Sequence, residues 1–335
     1  MIVSWMTTNQ CNLKCKHCYQ DAGSKKADEL TTGQARKLIG EIARAGFKIM
    51  IFSGGEPLLR PDIFELVSCA AQAGLRPVLG TNGTLITREA AARLKACGAA
   101  AMGISLDSLD EQKHNDFRGD GDAFRLTLEG MAHCREAGLP FQVHTTVMSW
   151  NRNEIGDITD FAVQAGAIAH YLFFLIPVGR GKLLEKTALE AADNERLLQA
   201  VMAKQREVPI DIKPTCAPQF TRVAKQTGTR TRFSKGCLAG LSYCIVSPVG
   251  IVRPCAYMTE EAGDVREVPF DDIWQNSLLF KTLRTRSYQG ACGGCDYRAD
   301  CGGCRARAGY YHDGDYMAED SCCAYGRQLI DKERA

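Results

Sequence analysis

The sequence predicts an α/β fold: a series of strand–helix units building a mostly parallel sheet, followed by a smaller cysteine-rich module. Three observations point there. From Ile2 to about Arg180, short apolar runs alternate with longer amphipathic stretches, as strands joined by helical crossovers require. Ala-Gly or Cys-Gly pairs ending at Gly46, Gly74, Gly98, Gly138 and Gly166 punctuate the amphipathic stretches as helix stops. After Cys237 that rhythm gives way to short strands, turns and cysteines. Periodicity alone is compatible with an open doubly wound sheet or a partial barrel.

In chain order, strands are expected at 2–7, 49–53, 76–81, 101–106, 141–147 and 170–176. The helices between them are expected at 31–45, 61–73, 87–96, 124–137 and 154–164, and a further helix at 183–206 completes six strand–helix units. A hairpin around Pro248 and Gly250 and a helix over 270–281 follow. The domains read as 1–185 for the α/β unit, 186–234 for a helical and basic connection, and 235–335 for the cysteine-rich module.

A chain of 335 residues with 45% hydrophobic residues buries a core without covalent staples, so its 16 cysteines are not the framework of a small disulfide protein. The formal net charge of +2 gives no basic footprint for nucleic acid. Charge or glycine interrupts every apolar stretch before membrane-spanning length, and Met1–Gln10 lacks the pattern of a secretion signal. A cytoplasmic protein is expected, without membrane or nucleic-acid partners. In a reducing compartment, clustered cysteines are better explained as metal ligands.

Cys11, Cys15 and Cys18 are separated by three and then two residues, directly after the first strand. Three thiolates so close suit one iron–sulfur cluster, with one iron left open to a chelating amine and carboxylate; a zinc site using His17 is the competing reading. Ser53-Gly54-Gly55-Glu56-Pro57 follows the second strand, where paired glycines permit close backbone approach and Glu56 can accept from an ammonium group. Together the two segments resemble the radical S-adenosylmethionine superfamily. The resemblance implies a partial six-unit (β/α) barrel, a 4Fe-4S cluster on Cys11, Cys15 and Cys18, and S-adenosylmethionine (SAM) bound at Gly54, Gly55 and Glu56. Asn82, Ser105 and Asp107, at the ends of the third and fourth strands, are the implied contacts to its carboxylate or ribose, with Thr146 and Arg180 as weaker candidates. Helix or turn capping is the other reading of Asn82 and Asp107.

The later cysteines resemble a SPASM domain, an auxiliary-cluster extension of such enzymes, although Cys301 and Cys304 enclose two residues where that pattern has three. The resemblance implies two further 4Fe-4S clusters, one on Cys237, Cys244, Cys255 and Cys304 and one on Cys292, Cys295, Cys301 and Cys322, with Cys323 an alternative to Cys322. Structural zinc is the competing reading here too. Cys69, Cys97 and Cys134 fall in helical patterns and read as core thiols.

Three segments narrow the resemblance: Ser4-Trp5-Met6-Thr7-Thr8-Asn9, Lys213-Pro214-Thr215-Cys216-Ala217-Pro218-Gln219 and Cys301-Gly302-Gly303-Cys304-Arg305-Ala306-Arg307-Ala308. They look like the NirJ-type tetrapyrrole enzymes of haem and haem d1 formation. The implied activity is modification of acetate or propionate side chains of an iron tetrapyrrole, with Cys216 as a catalytic candidate. A low-potential donor such as flavodoxin or ferredoxin is the implied redox partner. Arg222, Lys225, Arg230, Arg232 and Lys235, with Arg305 and Arg307, offer charge for the carboxylates, against the alternative of a solvated loop. Two other functions compete: a radical peptide maturase, disfavoured by a first strand at Ile2 with no separate peptide-recognition wing, and an electron-transfer scaffold with a decayed SAM site.

Overall fold

The computed structural model describes residues 1–326. Its first part runs β1 (Ile2–Met6), α1 (Thr32–Arg44), β2 (Ile49–Ser53), α2 (Ile63–Gln72), β3 (Arg76–Thr81), α3 (Arg88–Ala96) and β4 (Ala101–Ser105). Next come α4 (Glu111–Arg118), α5 (Ala123–Glu136), β5 (Phe141–Val147), α6 (Ile155–Ala165), β6 (Ala169–Phe174), α7 (Ala191–Gln205), β7 (Asp211–Thr215) and α8 (Phe220–Gln226). The cysteine-rich part holds β8 (Tyr243–Val246), β9 (Ile251–Arg253), β10 (Gly263–Asp264), α9 (Phe270–Asn276), α10 (Leu278–Thr285), α11 (Gly290–Gly293) and α12 (Arg305–Tyr311).

Strands β1 to β7 lie side by side in sequence order, every pair parallel. Each strand divides its residues between two faces, as a period of two demands. In β5, Phe141, Val143, Thr145 and Val147 are buried, while Gln142, His144 and Thr146 alternate with them on the other face. Phe141 and Val143 join Trp5, Phe52, Leu79 and Met102 in the main core under the helices, while Val147 packs in a second core with Leu172 and Ile212. Helix α1 begins with a capping box: Gln34 N donates to Thr31 Oγ1, and Thr31 N donates to Gln34 Oε1 at 2.9 Å.

Three features differ from the sequence reading. The span expected to be a connector contributes a seventh parallel strand, β7, at the edge of the sheet. The cysteine-rich part extends the same sheet, because β8 pairs in parallel with β1, Val3 opposite Cys244, and β9 and β10 continue antiparallel. The boundary at 235 therefore divides cysteine content rather than the sheet; residues 327–335 of that expected module lie outside the described residues. Finally, the helix expected over 183–206 starts at Ala191, after a 3-10 run over Gly179–Thr187, and the one expected over 270–281 is split into α9 and α10.

Candidate active site

The loop leaving β1 carries Cys11, Cys15 and Cys18. Backbone amides approach two of the sulfurs: Leu13 N to Cys11 Sγ at 3.5 Å and Ala22 N to Cys18 Sγ at 3.4 Å. Burial pushes the Cys11 thiol up to about 11, with Glu56, Cys15 and Cys18 adding to the rise. Burial also raises the Cys15 thiol, and clustered sulfurs that resist ionisation on their own call for a cationic group to offset them. Arg180, expected as a minor SAM contact, instead clamps this loop: its Nε donates to Cys15 O at 2.9 Å and its Nη1 to Ala22 O at 2.8 Å. Gly179 beside it has φ +56°, and a Cβ there would stand 2.5 Å from Cys18 O.

The glycine pair after β2 lies against the strand-to-cysteine loop. Gly55 N donates to Thr8 O and Glu56 N to Gln10 O, both at 2.8 Å. A Cβ on Gly55 would meet Gln10 O at 2.2 Å, so no side chain fits. Glu56 departs from its expected role, for its carboxylate is fully buried and engaged within the protein. Thr81 Oγ1 lies 2.8 and 2.9 Å from its two oxygens, and Asn82 N and Leu58 N donate to it at 2.9 and 3.2 Å. Burial pushes its pKa up to about 7 against these bonds. Glu56 thus buckles the glycine loop to the end of β3, which fixes the loop's backbone more directly than it could receive an ammonium.

Asn82 and Asp107 are also occupied. Asn82 Nδ2 donates to Asn12 Oδ1 at 2.9 Å, tying β3 to the cysteine loop, while its Oδ1 accepts from Thr84 N at 2.9 Å. Asp107, fully buried, accepts from Arg118 at 2.6 Å and from Thr146 N at 2.8 Å. Burial opposes its ionisation, but the Arg118 guanidinium together with His17, His114 and the Thr146 amide outweighs burial and holds the carboxyl below its ordinary range. Arg118 Nη1 also stands 3.8 Å from Cys15 Sγ, so Asp107, Arg118 and Cys15 form a buried relay. The sequence reading missed Arg118, which ends helix α4, polar except for Phe117. The available signal was its caps, Asp110 accepting the Lys113 N–H with its side chain and Gly119 at φ +74°. Ser105 remains half-buried, its Oγ 3.3 Å from Thr81 O.

The auxiliary cysteines gather differently from the expected sets. Cys216, Cys237, Cys255 and Cys304 share one small core with Ala239, Met258 and Tyr257, and Cys292 packs at its edge. The Cys304 thiol is pushed down to about 7, first by its hydrogen bond with Cys216 and then by the Arg307 guanidinium, while Cys255 and Cys237 are raised by burial and by Cys304. Cys244 is not among them: it is fully buried in the main core on the helix-facing side of β8, opposite Val3. The alternation of β8 sends it away from that group, and Cys216, at φ +63° just past β7, occupies the fourth place. In the second set, Cys292, Cys295, Cys301 and Cys323 line one cavity of about 140 Å³. Cys322 points elsewhere, its Sγ 3.3 Å from Leu189 O. Adjacent residues face opposite ways here, and Cys323 takes the position that the sequence reading gave to Cys322.

His17, the histidine of the zinc alternative, stacks on Phe117 with ring centroids 4.3 Å apart. Cys134 is fully buried, and Cys69 and Cys97 pack against the main core, as expected for structural thiols.

The family model described as "Radical SAM superfamily" matches residues 5–162, and one described as an iron-sulfur cluster-binding SPASM domain matches residues 237–296. An AdoMet-dependent heme synthase from Methanosarcina barkeri is 42% identical over 97% of this chain and 96% of its own length. The chain belongs to the radical SAM superfamily. Within that superfamily it is a SPASM enzyme closely related to the heme-synthase and pre-heme d1-synthase families: a pre-heme d1 synthase from Dinoroseobacter shibae is 30% identical over 96% of this chain and 85% of its own. A mycofactocin maturase from Mycobacterium ulcerans is 31% identical over 88% of this chain and 80% of its own. The fold is that of Streptococcus suis SuiB bound to S-adenosylmethionine, with a TM-score of 0.78 and 18% identity over 96% of this chain and 77% of that one. A radical SAM core followed by a SPASM region is an enzyme of 5'-deoxyadenosyl radical chemistry, and the expectation of a decayed scaffold is set aside with it. Among the described residues no helix is long and apolar enough to cross a membrane.

Proposed function

We propose that this radical SAM enzyme modifies acetate or propionate side chains of an iron tetrapyrrole in haem or haem d1 formation, and that oxidative decarboxylation of a propionate is its reaction. The observation that carries this reading is the 42% identity to an AdoMet-dependent heme synthase across nearly the whole of both chains, cysteine loop and SPASM region included. Cys11, Cys15 and Cys18 would hold the 4Fe-4S cluster whose reduction cleaves SAM to methionine and the 5'-deoxyadenosyl radical. Cys216, Cys237, Cys255 and Cys304 would hold one auxiliary 4Fe-4S cluster, and Cys292, Cys295, Cys301 and Cys323 a second. Around them the chain's own residues set the chemistry: Arg118 and Arg180 fix the first loop, and the Gly54-Gly55 backbone is held in place by Glu56. In the proposed reaction a side-chain hydrogen passes to 5'-deoxyadenosine and the carboxylate leaves as carbon dioxide. The remaining electron leaves the substrate on the side of Cys216 and Cys304, where a cluster supplies a one-electron acceptor. A low-potential carrier such as flavodoxin or ferredoxin supplies the initiating electron.

The second reading, peptide maturation, draws on the mycofactocin maturase relative. One incubation separates the two. Anaerobically reconstituted enzyme with SAM and reductant is expected to convert Fe-coproporphyrin III to products lighter by one and two formic-acid equivalents, as followed by mass spectrometry. Loss of acetate mass from didecarboxysiroheme instead would move the reaction to deacetylation, and crosslinking of a precursor peptide with no tetrapyrrole turnover would replace the proposal.

A further inference from the structure

The exposed basic run, the expected site for substrate carboxylates, is largely committed within the protein. Lys225 and Lys235 both pair with Asp300, Arg222 pairs with Glu195, and Arg232 with Asp211. Arg307 pairs with buried Asp320, and Arg305 Nη1 donates to the Ala318 and Tyr316 carbonyls.

A different cation lies inside. Lys213 belongs to the Lys213-Pro214-Thr215-Cys216 segment singled out in the sequence, and it occupies the face of β7 opposite Ile212, which packs under the helices. In register it stands beside Tyr171 of β6, itself beside His144 of β5. Its ammonium is 5.7 Å from the Tyr171 ring centroid and 4.4 Å from that of Phe233. Among the described residues it has no hydrogen-bond or ion-pair partner. Burial pushes its pKa down.

Its neighbours on the same face are also short of partners. Thr215 Oγ1, two residues along β7, and His144 Nε2 are buried without hydrogen bonds. Folded proteins rarely leave such groups unpaired, because each costs about 1–3 kcal/mol. Aromatic faces stabilise an ammonium but satisfy none of its N–H donors. The segment then runs directly into Cys216, so these unsatisfied groups lie beside the Cys216–Cys237–Cys255–Cys304 group. A cation between two aromatic rings, next to open hydroxyl and imidazole groups, matches the edge of a flat, multiply carboxylated ring.

We propose that Lys213 binds a carboxylate of the substrate on the inner face of the sheet, with Tyr171 and Phe233 flanking it. This rests on the tetrapyrrole reading above and names the residue that recognises that substrate. It moves the carboxylate site from the exposed run at 222–235 to the inner face beside Cys216.

The test is a titration of reconstituted enzyme with Fe(III)-coproporphyrin III, read at the Soret band without SAM or reductant, so that no turnover is needed. K213M is expected to weaken binding on the order of 30-fold, as loss of one partner of a buried charge pair does, K213R to stay within a few-fold of wild type, and K225Q/K235Q to leave affinity unchanged. Iron content and SAM affinity report that each variant is folded, and K213Q replaces K213M should the methionine variant lose iron. Wild-type-like affinity in folded K213M, or a loss in K225Q/K235Q as large as in K213M, overturns the assignment of Lys213. No saturable binding by the wild-type enzyme overturns the tetrapyrrole reading itself.

Discussion

Cys216→Ala is expected to remove one cluster's iron, about four atoms per chain, whereas Cys244→Ala is expected to keep its full complement. The sequence interval suggests the opposite, since Cys244 lies between Cys237 and Cys255 while Cys216 precedes a long basic segment. Strand geometry decides otherwise. Cys244 lies in β8 opposite Val3 of β1, and successive strand side chains point to opposite faces. Turning Cys244 toward Cys255 requires slipping β8 by one residue against β1, which would expose Val246 and bring Tyr243 under the helices. Cys216 needs no such change: it already hydrogen-bonds Cys304, and Arg307 Nη2 donates to its carbonyl at 2.8 Å. Because Cys11, Cys15 and Cys18 are untouched, C216A should still cleave SAM to 5'-deoxyadenosine while forming little product. Iron and sulfide analysis with electron paramagnetic resonance of the reduced protein reads the outcome. Iron loss in C244A with retention in C216A would return the ligand set to the one that the SPASM resemblance implies.

The second large effect is expected at Arg118. Asp107 and Arg118 are both nearly or fully buried. Arg118→Leu leaves a buried carboxylate unpaired, for which a loss of about 3–5 kcal/mol is expected. Asp107→Asn combined with Arg118→Leu is expected to recover much of that, since the amide carries no charge. The pH dependence should reverse. In the wild type the Asp107 carboxyl is held below its unfolded value of 3.8, so its contribution is present above that value and lost as pH falls through the lower folded pKa. Without Arg118 burial dominates and raises the folded pKa, so stability falls as pH rises above the unfolded value. Thermal midpoints of R118L and the double variant at pH 5 and pH 8 check this. Because Arg118 Nη1 also approaches Cys15, R118L should weaken retention of the first cluster as well.

The radical SAM signature was legible because it is local: Cys11, Cys15 and Cys18 share one loop, and Gly54 and Gly55 mark a backbone approach that admits no Cβ. The six strands it names were legible because their buried faces are continuous. β7 was not, since Asp211, Lys213 and Thr215 make one face polar and Pro214 reads as a breaker, a residue that an edge strand tolerates. α4 was hidden by having almost no apolar stripe, and with it the cation beside the Cys15 sulfur. The proposed fourth ligands were illegible for a different reason. Choosing between Cys216 and Cys244, or between Cys322 and Cys323, depends on which way a side chain faces, and spacing carries no such information. Glu56 and Asp107 show the same limit: their polar ends suit a ligand, but burial and neighbouring donors within the protein engage them first.

The most direct measurement is the fate of a substrate hydrogen. Fe-coproporphyrin III deuterated at the propionate carbon next to the ring, incubated with reconstituted enzyme, SAM and reductant, is predicted to yield 5'-deoxyadenosine carrying one deuterium, in step with carbon dioxide release. Unlabelled 5'-deoxyadenosine alongside a decarboxylated product, with deuterium transferred only from a second substrate labelled at the other propionate carbon, would place the radical elsewhere. Unlabelled 5'-deoxyadenosine with no tetrapyrrole product would contradict the proposed function altogether.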